Sequence, residues 1–191
     1  MKIDILKTND AWQDVKNAAL STIGLTKGKA PDHIWKQKIV FCEHSPIRLF
    51  RVIWRWVDLK YWVSVHLVRH WLGIEHFVST QREDRVNDGV PRDDKKQGAF
   101  VKHKCEANVQ ALINISRKRL CHQASPETRE AWQLLKDKIS ESEPEIAHCM
   151  VKECVYRNGL CPEFNSCGYN KSDAFKQELA QYVEPIKEQV V

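Results

Sequence analysis

The chain has 191 residues, enough for one domain with a sizeable core, and with 7 glycines and 7 prolines it holds no low-complexity tract. Its formal charge of +5 suits anionic small ligands such as nucleotides, whereas a nucleic-acid binder carries a denser basic stripe. The most apolar window, Ile47 to Ile74, is broken by Arg48, Arg51, Arg55, Asp58, Lys60 and Arg69, which excludes a membrane span.

In chain order, Trp12, Val15, Ala19 and Ile23 recur at helical spacing over Asp10 to Ile23, with Asn9 as the N-cap. A short helix follows over Asp32 to Cys42, capped by Asp32, and His44-Ser45-Pro46 breaks the chain. Phe50 to Val57 alternates, with Phe50, Val52, Trp54 and Trp56 on one face, which predicts a strand. Tyr61 to Trp71 reads as a helix ending at Gly73, after which Ile74, His76, Val78 and Thr80 alternate as a second strand. Residues 86–103 are polar and read as a loop or lid. A helix is then expected over Glu106 to Leu120 and another after Ser125, its cap, with Pro126 in the first turn and Trp132, Leu135 and Ile139 inward. Further helices are expected over Glu143 to Val151 and Ser172 to Val183, with an irregular cysteine-rich piece over 152–170 between them. The class is α+β, expected as residues 1–148 forming one ligand-binding domain and 149–191 a cysteine-rich segment and helix packed upon it.

The stretch from Leu67 to Arg82 places Arg69, His70, His76 and Arg82 within an apolar run beside Trp71. Cations and imidazoles enter such a run to meet something anionic or aromatic, which points to a phosphorylated, ring-containing ligand. Arg69 can grip a phosphate and His70 can donate to a phosphate or ring carbonyl. Asn108 and Arg119 stand eleven residues apart, about three turns, and so share a helix face. Asn114 lies among Leu112, Ile113 and Ile115, where an amide needs a partner, while Arg117 and Lys118 read as solvated cations.

The seven cysteines, with no secretion signal at the start of the sequence, read as cytoplasmic thiols or metal ligands. Cys149, Cys154, Cys161 and Cys167 fall in one segment with His148 adjacent, and four thiolates could close a structural zinc site; buried or redox thiols are the alternative.

Taken in order, His44-Ser45-Pro46, then Arg69-His70 about 25 residues later, Ser79, Asn108 and Asn114, Arg119, Ala124 and Glu127 resemble the flavin-dependent thymidylate synthases over roughly residues 10 to 140. That family carries a His-Ser-Pro-x-Glu turn, an Arg-His-Arg-x-x-Ser-x-Asn-Glu-x-Ser-x-Arg signature and a later Asn-x-Arg-Ser-Leu block. In this sequence Arg48, Trp71, Ile74, His76, Phe77, Gln81 and Gln110 replace family residues, and Arg82 stands one step beyond the final signature arginine. The resemblance implies a small antiparallel sheet with packed helices and a cytoplasmic homotetramer with sites between subunits. It implies that FAD is held by His44, Ser45, Arg69, His70, Asn108 and Asn114. The nucleotide phosphate would be gripped by Ser79 with Gln81 or Arg82, and Arg119 would act on the pyrimidine ring as the catalytic residue. The implied reaction moves a one-carbon unit from methylenetetrahydrofolate to C5 of dUMP, with NADPH as reductant and reduced FAD as hydride source. The altered signature leaves two alternatives: a pyrimidine nucleotide hydroxymethylase, and a non-catalytic nucleotide- or nucleic-acid-binding protein on the same fold.

Overall fold

The structure is a computed structural model that describes residues 1–26, 28–86 and 88–187; one position of the expected 86–103 loop and the last positions of the expected tail lie outside the described residues. A four-stranded antiparallel sheet, β1 (Lys2–Thr8), β2 (Arg51–Lys60), β3 (Ile74–Val78) and β4 (Phe100–Asn108), runs in the order β1-β2-β4-β3. The helices are α1 (Trp12–Ser21), α2 (His33–Phe41), α3 (Tyr61–Leu67), α4 (Val109–Arg119), α5 (Pro126–Ser140), α6 (Pro144–Cys149), α7 (Glu153–Tyr156) and α8 (Asp173–Lys187). The expected α+β class with a small antiparallel sheet is what the chain adopts.

The period-two pattern decides the sheet's faces. Val52, Trp54 and Trp56 of β2 and Val101, His103, Cys105 and Ala107 of β4 point inward, while Arg51, Glu75, Lys102 and Lys104 stand exposed on the other side. Trp54, Trp56 and Trp132 pack with ring centroids 5.4 to 6.2 Å apart. Rings of this size bury of order 150–250 Å² each, roughly 4–6 kcal/mol apiece. Two of the three indole nitrogens find partners: Trp56 donates to the Ala131 carbonyl at 3.1 Å and Trp132 to Ser116 Oγ at 2.8 Å, while Trp54 Nε1 is buried without one. These bonds fix α4 and α5 on the sheet. A second, smaller cluster of Val151, Cys154, Val155, Phe175 and Tyr182 holds α7 and α8, with Phe41 reaching across to it.

Several expectations shift at the level of elements. Asp32 caps α2 through Trp35 N at 2.8 Å, and Ser125 caps α5 with Pro126 in its first turn, as the sequence reads. Asn9 does not cap α1; its side chain joins β2 to the turn before it, donating to Leu49 O and accepting from Arg51 N, both at 2.9 Å. The α3 helix stops at Leu67, four residues early, and buries Val63, Ser64 and Leu67, leaving Val65 and Val68 exposed. Two strands, β1 and β4, stand where the sequence predicts none. β1 alternates over only a few residues at the sheet edge, and β4 hides its alternation behind His103 and Cys105, which do not score as apolar partners of Val101 and Ala107. The stretch from Phe100 is therefore the strand beside β2, with loop confined to the residues before it, and α4 starts at Val109 instead of Glu106.

Candidate functional site

After α3 the chain turns back over residues 68–72, held by His70 N donating to Leu67 O at 3.0 Å. This turn carries His70 to the C-terminal end of α4. There Arg119 Nε donates to His70 Nε2 at 2.7 Å, and its Nη2 donates to the His66 carbonyl at 2.8 Å. Because His70 Nε2 accepts, the imidazole is the neutral Nδ1–H form. Burial, then the charge of Arg119, then His76 push the His70 pKa down to about 4, so this form holds at neutral pH. Burial and the neighbouring Arg69 lower the Arg119 pKa, yet a guanidinium stays charged, and the carbonyl end of α4 favours that charge. Arg69 itself is exposed and makes no ion pair among the described residues.

At the other end of α4, Asn108 is the N-cap, its Oδ1 accepting from Ala111 N at 2.9 Å. Its backbone N donates to Gly73 O at 2.9 Å, and Gly73 has φ +74°, with Asn108 Nδ2 2.6 Å from where a Cβ would stand. Only glycine gives both that conformation and that approach. Arg48, Leu72, Gly73, Asn108, Gln110, Ala111 and Asn114 line a cleft of about 390 Å³ here. Asn114 is exposed on this rim, its Oδ1 accepting from Gln110 Nε2 at 3.3 Å and Arg117 Nη1 at 3.2 Å, and is not sunk among Leu112, Ile113 and Ile115. Arg117 corrects its reading as a solvated cation: it is ion-paired with Glu43 and stacks on Tyr156 with its guanidinium carbon 3.5 Å from the ring centre. His44 and Ser45 are exposed on a short 3₁₀ turn that packs against α4.

The expected phosphate grip lies elsewhere. Ser79, Gln81, Asp58, Lys95 and Lys102 line a separate cleft of about 320 Å³ at the far end of β3. Gly73 and Ser79 flank the five-residue strand, which puts about 17–20 Å between the two clefts. Ser79 Oγ accepts from Lys102 N at 3.0 Å, and Arg82 is engaged by Asp84 at 2.9 and 2.7 Å. Within one chain, then, Arg119 and His70 meet, Asn108 and Asn114 share a cleft, and Ser79 and Gln81 share another, but the three groups do not converge.

One grouping was not expected from the sequence. His76 and Cys105 face each other across β3 and β4, with His103 two residues along β4 on the same face. His76 Nε2 lies 2.7 Å from the His70 carbonyl, which can only accept, so Nε2 carries the proton and Nδ1 presents a lone pair inward. That lone pair lies 2.9 Å from His103 Nε2 and 3.3 Å from Cys105 Sγ. Burial pushes the His103 pKa down to about 3, also lowers that of His76, and raises that of the Cys105 thiol.

The four tail cysteines are not brought to ligand distance of one another; among the described residues only His76, His103 and Cys105 gather three such donors within 4.8 Å. Cys149 is buried in the main core on α6, whereas Cys154, Cys161 and Cys167 surround a small pocket with Cys121 and His122. Cys149 belongs to the main core and Cys154 to the second cluster, while Cys161 is half-buried and Cys167 exposed.

These elements define the fold of the flavin-dependent thymidylate synthases. Among solved structures, the chain is similar to flavin-dependent thymidylate synthase ThyX from Helicobacter pylori complexed with FAD and dUMP, at TM-score 0.63 and 11% identity over 80% of this chain and 100% of that one. A second ThyX structure from the same organism, with FAD and dUMP, gives TM-score 0.62 and 13% identity over 78% and 99% of the two chains. The UMP/dUMP methylase PolB from Streptomyces cacaoi, bound with 5-Br dUMP, gives TM-score 0.61 and 10% identity over 79% and 97%. No protein-family model and no curated protein matches the chain. No helix among the described residues is long and apolar enough to cross a membrane.

Proposed function

We propose that the protein is a flavin enzyme that acts on dUMP or a related pyrimidine nucleotide, transferring a one-carbon unit from methylenetetrahydrofolate to C5. The observation that carries this reading is Arg119, half-buried and aimed by neutral His70 and the His66 carbonyl, in a fold of which two solved examples hold FAD and dUMP and a third 5-Br dUMP. The two bonds commit Arg119 Nε–H and one Nη2–H, leaving three of the five guanidinium donors for a pyrimidine carbonyl. A cation so fixed stabilises negative charge developing on the ring as C5 becomes nucleophilic, without reorganising during the reaction.

The cleft at Gly73 and Asn108 fits part of a flavin: amides of Asn108, Gln110 and Asn114 and the Arg48 cation converge on about 390 Å³. That volume suits one end of a dinucleotide, so the rest of FAD, with His44, Ser45 and Arg69, would lie against another copy of the chain. When bound and reduced by NADPH, FAD supplies the hydride that completes a methyl group. Ser79, Gln81 and Arg82 would grip the phosphate of a nucleotide shared between copies in a homotetramer; this explains why they stand apart from Arg119 within one chain.

The test is direct. Purified protein should carry or take up FAD, and NADPH should bleach its absorption; protein that remains colourless with added FAD refutes the reading. Mass analysis of dUMP incubated with methylenetetrahydrofolate and NADPH distinguishes a methylated from a hydroxymethylated product, and an unchanged nucleotide supports the non-catalytic binder.

A further inference from the structure

We propose that His76, His103 and Cys105 form a binding site for a zinc-type divalent cation on the inner face of the sheet. The three donor atoms, His76 Nδ1, His103 Nε2 and Cys105 Sγ, come from two adjacent strands and lie within 4.8 Å of one another. Imidazole nitrogen and thiolate sulfur are donors that zinc takes, and three protein ligands would leave a fourth position open.

Hydrogen bonding alone leaves the group poorly matched. The His76 Nε2–H is committed to the His70 carbonyl, so His76 Nδ1 is an acceptor with one in-plane lone pair. Both His103 Nε2 at 2.9 Å and Cys105 Sγ at 3.3 Å press on that single lone pair. A cation among the three would use the lone pair of each imidazole and the sulfur together, with the thiol proton released to solvent. The two separations from His76 Nδ1 are a few tenths of an ångström short of those between tetrahedral ligands at about 2.0–2.3 Å from zinc, a gap that small side-chain rotations supply. The backbone carbonyl on His76 Nε2 is the outer contact that orients a metal-binding histidine. On His103, Nδ1 is buried without a partner, which makes this ligand the less firmly oriented one. The same His70 carbonyl joins the site to the turn that presents His70 to Arg119, so a bound cation would stiffen that turn.

The site does not depend on the flavin reading. Protein stripped with chelator is titrated with Zn²⁺ and, separately, with Co²⁺ as a spectroscopic probe. One zinc per chain should be retained after dialysis, and cobalt should give a near-ultraviolet thiolate charge-transfer band. Cys105→Ser should abolish that band, and His76→Gln should weaken affinity at least ~100-fold, the upper range for loss of a mere outer contact. Cys154→Ser, in the tail pocket, should change neither. His76 is only half-buried, so His76→Gln carries the test even where Cys105→Ser fails to fold. Substoichiometric zinc uptake, a cobalt spectrum without the thiolate band, or metal lost with Cys154 and kept with His76→Gln would each overturn the site. Colourless protein that binds zinc as described refutes the flavin reading and leaves this site standing.

Discussion

Arg119 is bound to His70 and His66 before any ligand arrives, and the charge state of His70 decides whether that arrangement holds. Removing the guanidinium with Arg119→Ala should lower turnover by about 10²–10³-fold, measured as product mass per unit time, the scale of losing one fixed charge donor to a transition state. An equal rate would show that the pyrimidine is polarised by another group. Protonating His70 should have a related effect on stability. In the unfolded chain His70 and His103 titrate near 6.5, whereas the fold holds them at about 4 and about 3. Between those values the unfolded chain binds more protons, so stability is complete above pH 6.5 and declines as pH falls toward 3 to 4. Urea midpoints taken with chelator present should fall across this window, and His103→Gln should flatten the fall; midpoints independent of pH would contradict the burial of these rings.

At the scale of elements, the joint between β3 and α4 rests on one glycine and one cap. Gly73→Ala adds a Cβ in a left-handed conformation and drives it against Asn108 Nδ2, 2.6 Å away. Loss of the backbone freedom and of the cap should together cost about 2–3 kcal/mol. Asn108→Ala alone should cost about 1 kcal/mol, and the double variant less than the sum, because both changes break the same contact. Chemical denaturation measures each value, and additive losses would show that the glycine and the cap act separately. The joint was half legible in the sequence: Gly73 reads as a stop, but its contact with Asn108 requires β4, whose alternation is obscured by a histidine and a cysteine.

On the scale of the whole molecule, Trp71 is 72% exposed, Leu72 71% and Phe77 57%, at and beside positions where the family signature carries polar residues. Apolar side chains held out of the turn beside the cleft, and from the outer face of β3, are what a second copy would cover. Light scattering should give a tetramer for the unaltered protein. Trp71→Asp with Phe77→Glu should shift it to smaller species and reduce FAD retention in parallel. A protein monomeric from the outset, with FAD bound, would place the whole site within one chain.

The sequence by itself determined the α+β class, the caps of α2 and α5, the inward face of β2 and the order of motifs resembling the flavin-dependent thymidylate synthases, because periodicity, capping and motif order are local or linear properties. It pointed to Arg119 and His70 separately. Only the tertiary structure decided that they touch, that Ser79 and Arg82 lie a strand's length away, that Cys149 parts from the other tail thiols, and that His76, His103 and Cys105 meet. These depend on strand register and on where α3 ends, and both are settled by packing between elements distant in the sequence rather than by any local preference.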